Sequence, residues 1–167
     1  MKDVGISLEA AHPRDYAAIA TIYNEYILEG NQTMEEKTHQ AWDILQWTSK
    51  FNEREQLYTL KRGDEVLGWG IIKRYSDRAG YAKTCETSVY LRKNELRQGY
   101  GTWLKRKMIE KCRELGYHHL VARVLAHNLS SIEYNRMLGY EVVGTQKEIG
   151  FKNGRWVDVV IMQLILD

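Results

Sequence analysis

Residues 84–102 read TCETSVYLRKNELRQGYGT, and this stretch decides the fold. Its first part has the alternating, β-rich composition of a strand that we predict over residues 81–91. A charged loop follows, and Gly99-Tyr100-Gly101 then opens a predicted helix over residues 102–115. Glycine permits close approach of the backbone and a helix N-terminus carries partial positive charge, so this turn suits an anion such as a pyrophosphate. A plain packing turn between strand and helix explains the two glycines equally well.

Glu86 places a carboxylate in the middle of the predicted strand. In an extended chain Glu86, Ser88 and Tyr90 share one face. Partial burial would raise the pKa of the Glu86 carboxyl toward neutrality and suit it to accept a proton, directly or through water. A cross-strand ion pair with an arginine or a lysine is an equally good interpretation. Both interpretations stay open on the residues alone.

The remaining sequence alternates strand and helix patterns on both sides of this stretch. Ile6, Leu8 and Ala10 indicate a short first strand. Further helices are predicted over 15–29, 38–51 and 130–138, and further strands over 57–62, 66–75, 120–125, 141–149 and 157–166. The order β-α-α-β-β-β-α-β-α-β-β, without repeats or linkers, predicts an α/β fold and one domain over residues 1–167.

The second predicted helix runs from about Thr38 to Phe51. Thr38 is the expected N-cap, because threonine accepts hydrogen bonds from the first turn of a helix. Trp42, Ile44 and Leu45 are expected to face the core.

Composition limits the classes of function. The 167 residues carry a net charge of +2 with both signs mixed along the chain, which disfavours nucleic-acid binding. Two cysteines, Cys85 and Cys112, are too few for a disulfide framework, and no spacing of histidine and cysteine predicts a metal site. The N-terminus lacks the apolar run of a signal peptide, and no stretch is apolar enough to span a bilayer. We therefore expect a cytoplasmic protein that binds no metal, nucleic acid or membrane.

These segments, in this order, resemble the GCN5-related N-acetyltransferases (GNAT) over nearly the whole chain, and in particular their phosphinothricin and methionine-sulfoximine acetyltransferase branch. The matching residues are 22–27, Arg78, Tyr81, Thr84, Glu86, 88–91, 99–101, Asn128, 131–132, 138–140, Lys152, 154–156 and Asp158. The resemblance implies a mixed, mostly antiparallel central sheet flanked by helices and splayed at an acetyl-CoA site.

The resemblance also implies how acetyl-CoA is bound. Backbone groups of Val89 and Leu91 would hold the pantetheine arm beside the strand, and Asn128 would bind it from the end of the next strand. Backbone amides would hold the pyrophosphate, and these belong to Arg97, Gln98, Gly99, Tyr100, Gly101 and Thr102.

For the acceptor, the resemblance puts Glu86 at the general-base position and Arg78 near a substrate carboxylate. Tyr26 precedes the loop over the site and is expected to line the acceptor pocket with Met34. Members of this branch are usually dimers in which residues 152–156 lie near the neighbouring site, so a homodimer is expected.

The chain departs from the family pattern at four positions. Leu96 stands where the glycine motif begins with arginine or glutamine, and Asn135 stands where many relatives carry tyrosine or histidine as the acid for the leaving thiolate. Met34 and Ser76 stand where the branch has phenylalanine and arginine. A thiol leaves readily as thiolate, with a reference pKa of about 8.5, so the reaction need not have a dedicated acid.

We therefore expect direct transfer of an acetyl group from acetyl-CoA to the primary amine of a small, amino-acid-like substrate in a ternary complex. A protein or peptide N-terminal acetyltransferase is one alternative, and it would have a wide groove leading to Glu86. A catalytically silent acetyl-CoA-binding module is the other, motivated by Leu96 and Asn135.

Overall fold

The order of strands and helices is the one that the sequence predicts. The computed structural model describes residues 5–167, so the prediction about the extreme N-terminus falls partly outside the described residues. The helices are α1 (Tyr16–Glu29), α2 (Ala41–Thr48), α3 (Tyr100–Glu114) and α4 (Leu129–Met137). The strands are β1 (Ile6–Ala10), β2 (Gln56–Arg62), β3 (Glu65–Arg74), β4 (Thr84–Leu91), β5 (His119–Leu125), β6 (Glu141–Lys152) and β7 (Arg155–Ile165).

All seven strands form one sheet in the order β1-β2-β3-β4-β5-β7-β6. Every neighbouring pair is antiparallel except β4 and β5, which are parallel. The parallel pairing covers Thr84–Glu86 against His119–Val121 and stops there. The mixed, mostly antiparallel sheet is thereby confirmed, and β4 and β5 lose their pairing in the middle of it.

Apolar residues fill both faces of the sheet. On one face α3 packs against β3 and β4, with Leu104, Met108 and Cys112 buried among the strands. The approach is close, because a Cβ built on Gly70 of β3 would lie 2.8 Å from the Met108 sulfur. On the other face α1 and α2 cover β2 and β3, with Ile44 and Trp69 in that core.

Helix α2 is shorter than predicted, and its cap is different. It begins at Ala41, with Gln40 as N-cap, so the expectation that Thr38 caps it is wrong. The reason is a tertiary contact: the Asn24 amide group bonds the backbone N–H and the carbonyl of His39, both at 2.8 Å, and holds that residue in the loop. A helix this short buries one narrow face, so Ile44 is buried while Trp42 and Leu45 are 64% and 42% exposed.

Strand β4 begins at Thr84 rather than at residue 81, because residues 79–81 form a 3₁₀ turn. The last two strands are longer than predicted and form a hairpin around Asn153-Gly154, both with positive φ. Among residues 5–167, no helix has the length and apolarity required to cross a membrane. No group of three or more metal-binding side chains occurs in the same part of the chain.

Candidate functional site

The gap between β4 and β5 presents free backbone groups. Arg92 N donates to Leu67 O at 2.8 Å, which continues the β3–β4 register that pairs Gly68 with Leu91. Hydrogen-bonded and non-hydrogen-bonded pairs alternate along an antiparallel ladder, so the N–H and C=O groups of Val89 and Leu91 point away from β3. On that side β5 no longer pairs with β4. The gap therefore exposes the hydrogen-bonding edge of a strand inside the sheet.

A narrow cavity of about 100 Å³ occupies this gap, which we call the cleft. Its lining residues are Gln32, Thr87, Ser88, Val89, Tyr90, Lys105, Ala122, Arg123, Val124, Asn128, Ser131, Tyr134 and Asn135. Tyr26 is buried beside this edge, and its hydroxyl donates to the Leu91 carbonyl at 2.7 Å. The carbonyl of Leu91 is thus already bonded, whereas the Val89 groups and the Leu91 amide face the gap.

The glycine turn presents a row of amides at the end of β4. Gly99 has φ of 86° and is the N-cap of α3. Trp103 N donates to Gly99 O, so the amides of residues 100–102 precede the first hydrogen bond of the helix. Amides in this position, with the helix dipole behind them, form an anion-binding site.

Buried contacts hold the loop that precedes this turn. The Glu95 carboxylate is buried and accepts from Arg62 at 3.1 Å and from Gln98 at 3.3 Å. Lys93 N donates to the Glu25 carboxylate at 3.0 Å, which ties the loop to α1. Sequence reasoning missed Glu95 and Arg62, because their pairing depends on the position of β2 in the sheet.

Helix α4 closes the far side of the cleft. The Asn128 side chain caps it by accepting from Ser131 N at 3.2 Å, and the same residue lines the cleft. The Tyr134 hydroxyl donates to the Gly101 carbonyl, which joins α4 to the first turn of α3. Asn135 is buried and its Oδ1 has no hydrogen-bond partner among the described residues.

A larger cavity of about 500 Å³ lies on the opposite side of β4, and we call it the acceptor cavity. Its lining residues are Tyr23, Glu35, Trp47, Lys50, Phe51, Glu55, Trp69, Ile71, Lys73, Arg74, Tyr75, Ser76, Asp77, Ser88 and Tyr90. The Tyr90 ring is central to its wall, 4.9 Å from the Tyr23 ring and 4.8 Å from that of Trp69. Ser88 and Tyr90 line both cavities, so the cleft and the acceptor cavity meet at these two residues.

Three basic side chains line the acceptor cavity, and they differ in whether a carboxylate already pairs with them: Lys50, Lys73 and Arg74. The Arg74 guanidinium forms salt bridges with the carboxylates of Glu55 and Asp77. Lys73 is exposed, and it stands opposite Glu86 in the β3–β4 register. Lys50 is also exposed, and neither lysine forms an ion pair among the described residues. Lys73 is the one that lies on the strand paired with β4, beside the point where the two cavities meet. Burial raises the pKa of the Tyr90 hydroxyl above its ordinary range, so this side chain is neutral there.

Glu86 forms the ion pair that the sequence left open. Its Oε1 lies 3.0 Å from Nε of Arg123 on β5, and its side chain is 26% exposed. Glu86 lies two positions before Ser88 on the same face of β4, but it is not among the residues lining either cavity. A catalytic role for Glu86 stays a prediction.

None of the three residues expected around the acceptor lines the larger cavity, and their role in substrate binding stays a prediction. Tyr26 supports the Leu91 carbonyl, and Arg78 is exposed before a 3₁₀ turn in a separate cavity with Ser76 and Tyr81. The end of the Met34 side chain packs against Gly150, at a place where a Cβ would collide with it. Of the residues that line the larger cavity, sequence reasoning placed only Ser88 and Tyr90 on one face of a strand next to the expected site.

Three comparisons show which known proteins this chain is similar to. Residues 8–161 match the family model described as acetyltransferase (GNAT) domain. The L-methionine sulfoximine/L-methionine sulfone acetyltransferase of Pseudomonas paraeruginosa is 32% identical over 173 residues, with 96% of this chain and 95% of the relative covered. Two solved structures share its fold at 30% identity.

The first is a GNAT superfamily phosphinothricin acetyltransferase from Sinorhizobium meliloti in complex with acetyl-CoA, with a TM-score of 0.88 over 98% of this chain and 89% of that one. The second is the ribosomal-protein-alanine N-acetyltransferase from Brucella melitensis, with a TM-score of 0.91 over 96% of this chain and 99% of that one.

Proposed function

Since the chain belongs to the GNAT acetyltransferase domain family, we propose that it transfers the acetyl group of acetyl-CoA directly to the primary amine of a small, amino-acid-like substrate. The observation that carries this proposal is the meeting of the cleft and the acceptor cavity at Ser88 and Tyr90. Two substrates that enter from opposite sides of β4 would bring their reacting atoms together at that point.

The cleft and the glycine turn form the proposed acetyl-CoA site. The Val89 backbone and the Leu91 amide would bind the pantetheine arm as an added strand, with Asn128 at the end of β5. The amides of residues 97–102 would bind the pyrophosphate. When bound, acetyl-CoA supplies the acetyl group as a thioester, whose thiolate is a good leaving group.

The acceptor cavity favours a small substrate over a polypeptide. Its volume of about 500 Å³ lies within the range of about 300–1,000 Å³ that is usual for small-molecule sites. Trp47, Trp69 and Tyr90 give it apolar walls suited to a side chain, and Lys73 supplies a positive charge for a carboxylate. A zwitterionic amino acid or a close analogue matches this combination.

Glu86 is the proposed general base. An amine with a pKa of about 8 to 10 is mostly protonated at neutral pH and must lose a proton before it attacks. Glu86 would take that proton through a water molecule from an amine held near Ser88, and its charge is oriented by Arg123. The Val89 amide would stabilise the oxyanion that develops on the thioester carbonyl.

A panel of acceptors tests the proposed function against its alternatives. We expect turnover of acetyl-CoA with methionine sulfoximine, phosphinothricin or a free amino acid, and slower turnover with the matching amino acid amide. The likeness to a ribosomal-protein-alanine N-acetyltransferase makes an N-terminal peptide the necessary comparison. A preference for the peptide would support a polypeptide acceptor, and acetyl-CoA binding without turnover of any amine would support the silent binding module.

We also propose a homodimer formed through the β6–β7 hairpin. Ile149, Phe151 and Trp156 are apolar and exposed on this hairpin, an arrangement typical of association surfaces. The Lys152 ammonium, by contrast, is buried and donates to the carbonyls of Thr33 and Glu35. The same hairpin therefore reaches the loop between α1 and α2, one of whose residues, Glu35, lines the acceptor cavity.

We propose a cytoplasmic location and a single domain over residues 1–167. The two cysteines are unbonded although their sulfurs lie 3.7 Å apart, which suits a reducing compartment. Strands from both ends of the described chain lie in one sheet, which supports a single domain.

A further inference from the structure

Lys105 is a buried cation at the bottom of the cleft. It lies on α3, is 3% exposed, and lines the cleft. Its ammonium donates to Thr87 Oγ1 at 2.8 Å and lies 5.1 Å from the centre of the Tyr140 ring. An ammonium has three N–H donors, and this bond to a neutral hydroxyl uses one of them. No carboxylate among residues 5–167 forms an ion pair with it.

Burial of a cation beside a neutral hydroxyl costs free energy, and a leucine or methionine on this face of α3 would avoid that cost. A second polar group in the same cleft also lacks a partner. Asn135 Oδ1 is a buried acceptor without a hydrogen bond among the described residues. Lys105 and Asn135 line the cavity that contains the free Val89 edge, so both are available to whatever enters it.

Other titratable groups surround Lys105. Cys85 on β4 and Cys112 on α3 favour its charged form, and Tyr134 and Tyr140 lie on the α4 side. Tyr90 and Arg123 line the cleft at β4 and β5. Burial outweighs the other influences and lowers the pKa of Lys105 to about 8. That value is close to the reference pKa of about 8.5 for a thiol.

We propose that the Lys105 ammonium binds the sulfur of coenzyme A in the cleft and donates the proton that converts the leaving thiolate to a thiol. This assignment rests on the proposed function. It supplies the acid that Asn135 cannot be, since a carboxamide has no proton to give at neutral pH.

The proton balance of the step closes within the site. The substrate ammonium first loses one proton to Glu86, which passes it to water. The neutral nitrogen then forms a bond to the carbonyl carbon and gives up a second proton, which leaves by the same route. The carbon–sulfur bond breaks and its electron pair stays on sulfur. Sulfur takes a proton from Lys105 Nζ, which becomes a neutral amine. Lys105 regains a proton from water after coenzyme A leaves.

A binding experiment tests the proposal independently of turnover. Calorimetry would compare coenzyme A with desulfo-coenzyme A, which lacks the sulfur, for the wild type and for Lys105→Met between pH 6.5 and 9. We expect the wild type to bind coenzyme A about 10- to 100-fold more tightly than the desulfo analogue near pH 8, the strength of a charge-assisted hydrogen bond. Lys105→Met should lose this preference and bind the desulfo analogue as the wild type does.

Thiolate absorbance in the ultraviolet gives a second readout. The pKa of the bound coenzyme A thiol should be lower in the wild type than in free solution, and Lys105→Met should abolish the difference. Lys111→Met is the matched control, because Lys111 lies on the same helix and its ammonium pairs with Glu114 at 2.6 Å. This variant should retain the wild-type preference and the lowered thiol pKa.

Three outcomes would overturn the proposal. An equal preference for coenzyme A in the wild type and Lys105→Met would remove Lys105 from this role while leaving the acetyl-CoA site intact. Loss of the preference in Tyr134→Phe with its retention in Lys105→Met would transfer the role to Tyr134. A wild type that binds neither ligand would refute the donor site itself, and with it both proposals.

Discussion

Arg123 Nε lies 3.0 Å from Glu86 Oε1, so the proposed base is paired with a cation on the only strand that runs parallel to its own among the described residues. An arginine side chain stays charged at all relevant pH values. It therefore orients the Glu86 carboxylate and leaves the second oxygen available to a water molecule. An ion pair and a catalytic base, which the sequence presented as alternatives, are compatible in this geometry.

Replacing Glu86 by glutamine should reduce kcat/KM by roughly 10² to 10⁴ at neutral pH, because the amide keeps the shape but cannot accept a proton. Steady-state kinetics would measure the loss, and calorimetry should show an almost unchanged affinity for acetyl-CoA. The deficit should shrink in alkaline buffer, where more of the amine is already deprotonated. A wild-type rate and pH profile in the variant would leave Glu86 with a structural role.

Lys73→Met should raise the KM of a carboxylated acceptor about 10- to 100-fold, the cost of one charge-assisted hydrogen bond. The KM of acetyl-CoA should stay the same. Arg78→Met is the matched comparison, because the family resemblance places Arg78 near the substrate carboxylate whereas the structure places it outside the acceptor cavity. A larger effect of Arg78→Met than of Lys73→Met would assign the carboxylate site to Arg78. If Lys73→Met raised the KM of carboxylated and uncarboxylated amines equally, Lys73 would not bind the substrate carboxylate.

Gly101→Asp should weaken acetyl-CoA binding at least about tenfold, or about 1.4 kcal/mol, because it puts a negative charge among amides suited to phosphate. A Cβ at Gly101 meets Leu91 Cδ1 at 3.5 Å, an ordinary contact, so the variant should fold. Gly101→Asn has the same size without the charge and should lose less affinity. Calorimetry showing equal affinity for Gly101→Asp and wild type would place the pyrophosphate elsewhere.

Lys105→Met should stabilise the ligand-free protein at pH 7, by on the order of 1–3 kcal/mol, because it removes a buried charge. Burial lowers the pKa of Lys105 from 10.5 to about 8. Between these two values the unfolded chain holds a proton that the folded chain lacks, so the wild type gains stability as pH rises from 8 to 10.5. The advantage of Lys105→Met should therefore shrink over that range in urea unfolding experiments. An advantage that is constant with pH would mean that folding does not lower the pKa of Lys105.

Trp156→Asp should convert the proposed homodimer to a monomer in sedimentation experiments at micromolar concentration. Trp156 is 61% exposed and its ring lies 5.1 Å from that of Phe151, so the change puts a charge into the apolar surface. Trp42→Asp is the matched control on α2, where an equally exposed tryptophan is not part of this surface. A wild type that sediments as a monomer would contradict the proposed assembly.

The cleft could be predicted from sequence because its parts are consecutive. Strand β4, the charged loop and the turn at Gly99 lie within residues 84–102, and alternation along β4 assigns Glu86, Ser88 and Tyr90 to one face. Lys105 follows a few residues later, but helical spacing alone does not tell a lysine at the protein surface from one beneath a cleft.

The acceptor cavity could not be predicted in the same way, because its walls come from distant segments. Tyr23, Trp47 and Trp69 lie on α1, α2 and β3, and they meet around Tyr90 only when those elements pack on the sheet. The prediction that Thr38 caps α2 was wrong for a related reason. The Asn24 side chain bonds His39 from another helix, and such a contact leaves no local pattern.

The unpaired edge of β4 also bears on the solubility of the protein. A free strand edge recruits strands from other molecules and is a common start of aggregation. Here the edge faces a cavity of about 100 Å³ between β4 and β5, with α3 and α4 contributing to its lining, instead of lying at the rim of the sheet. A polypeptide strand with side chains is too wide for that space. The protein can thus keep hydrogen-bonding groups ready for a slender ligand without offering them to another protein chain.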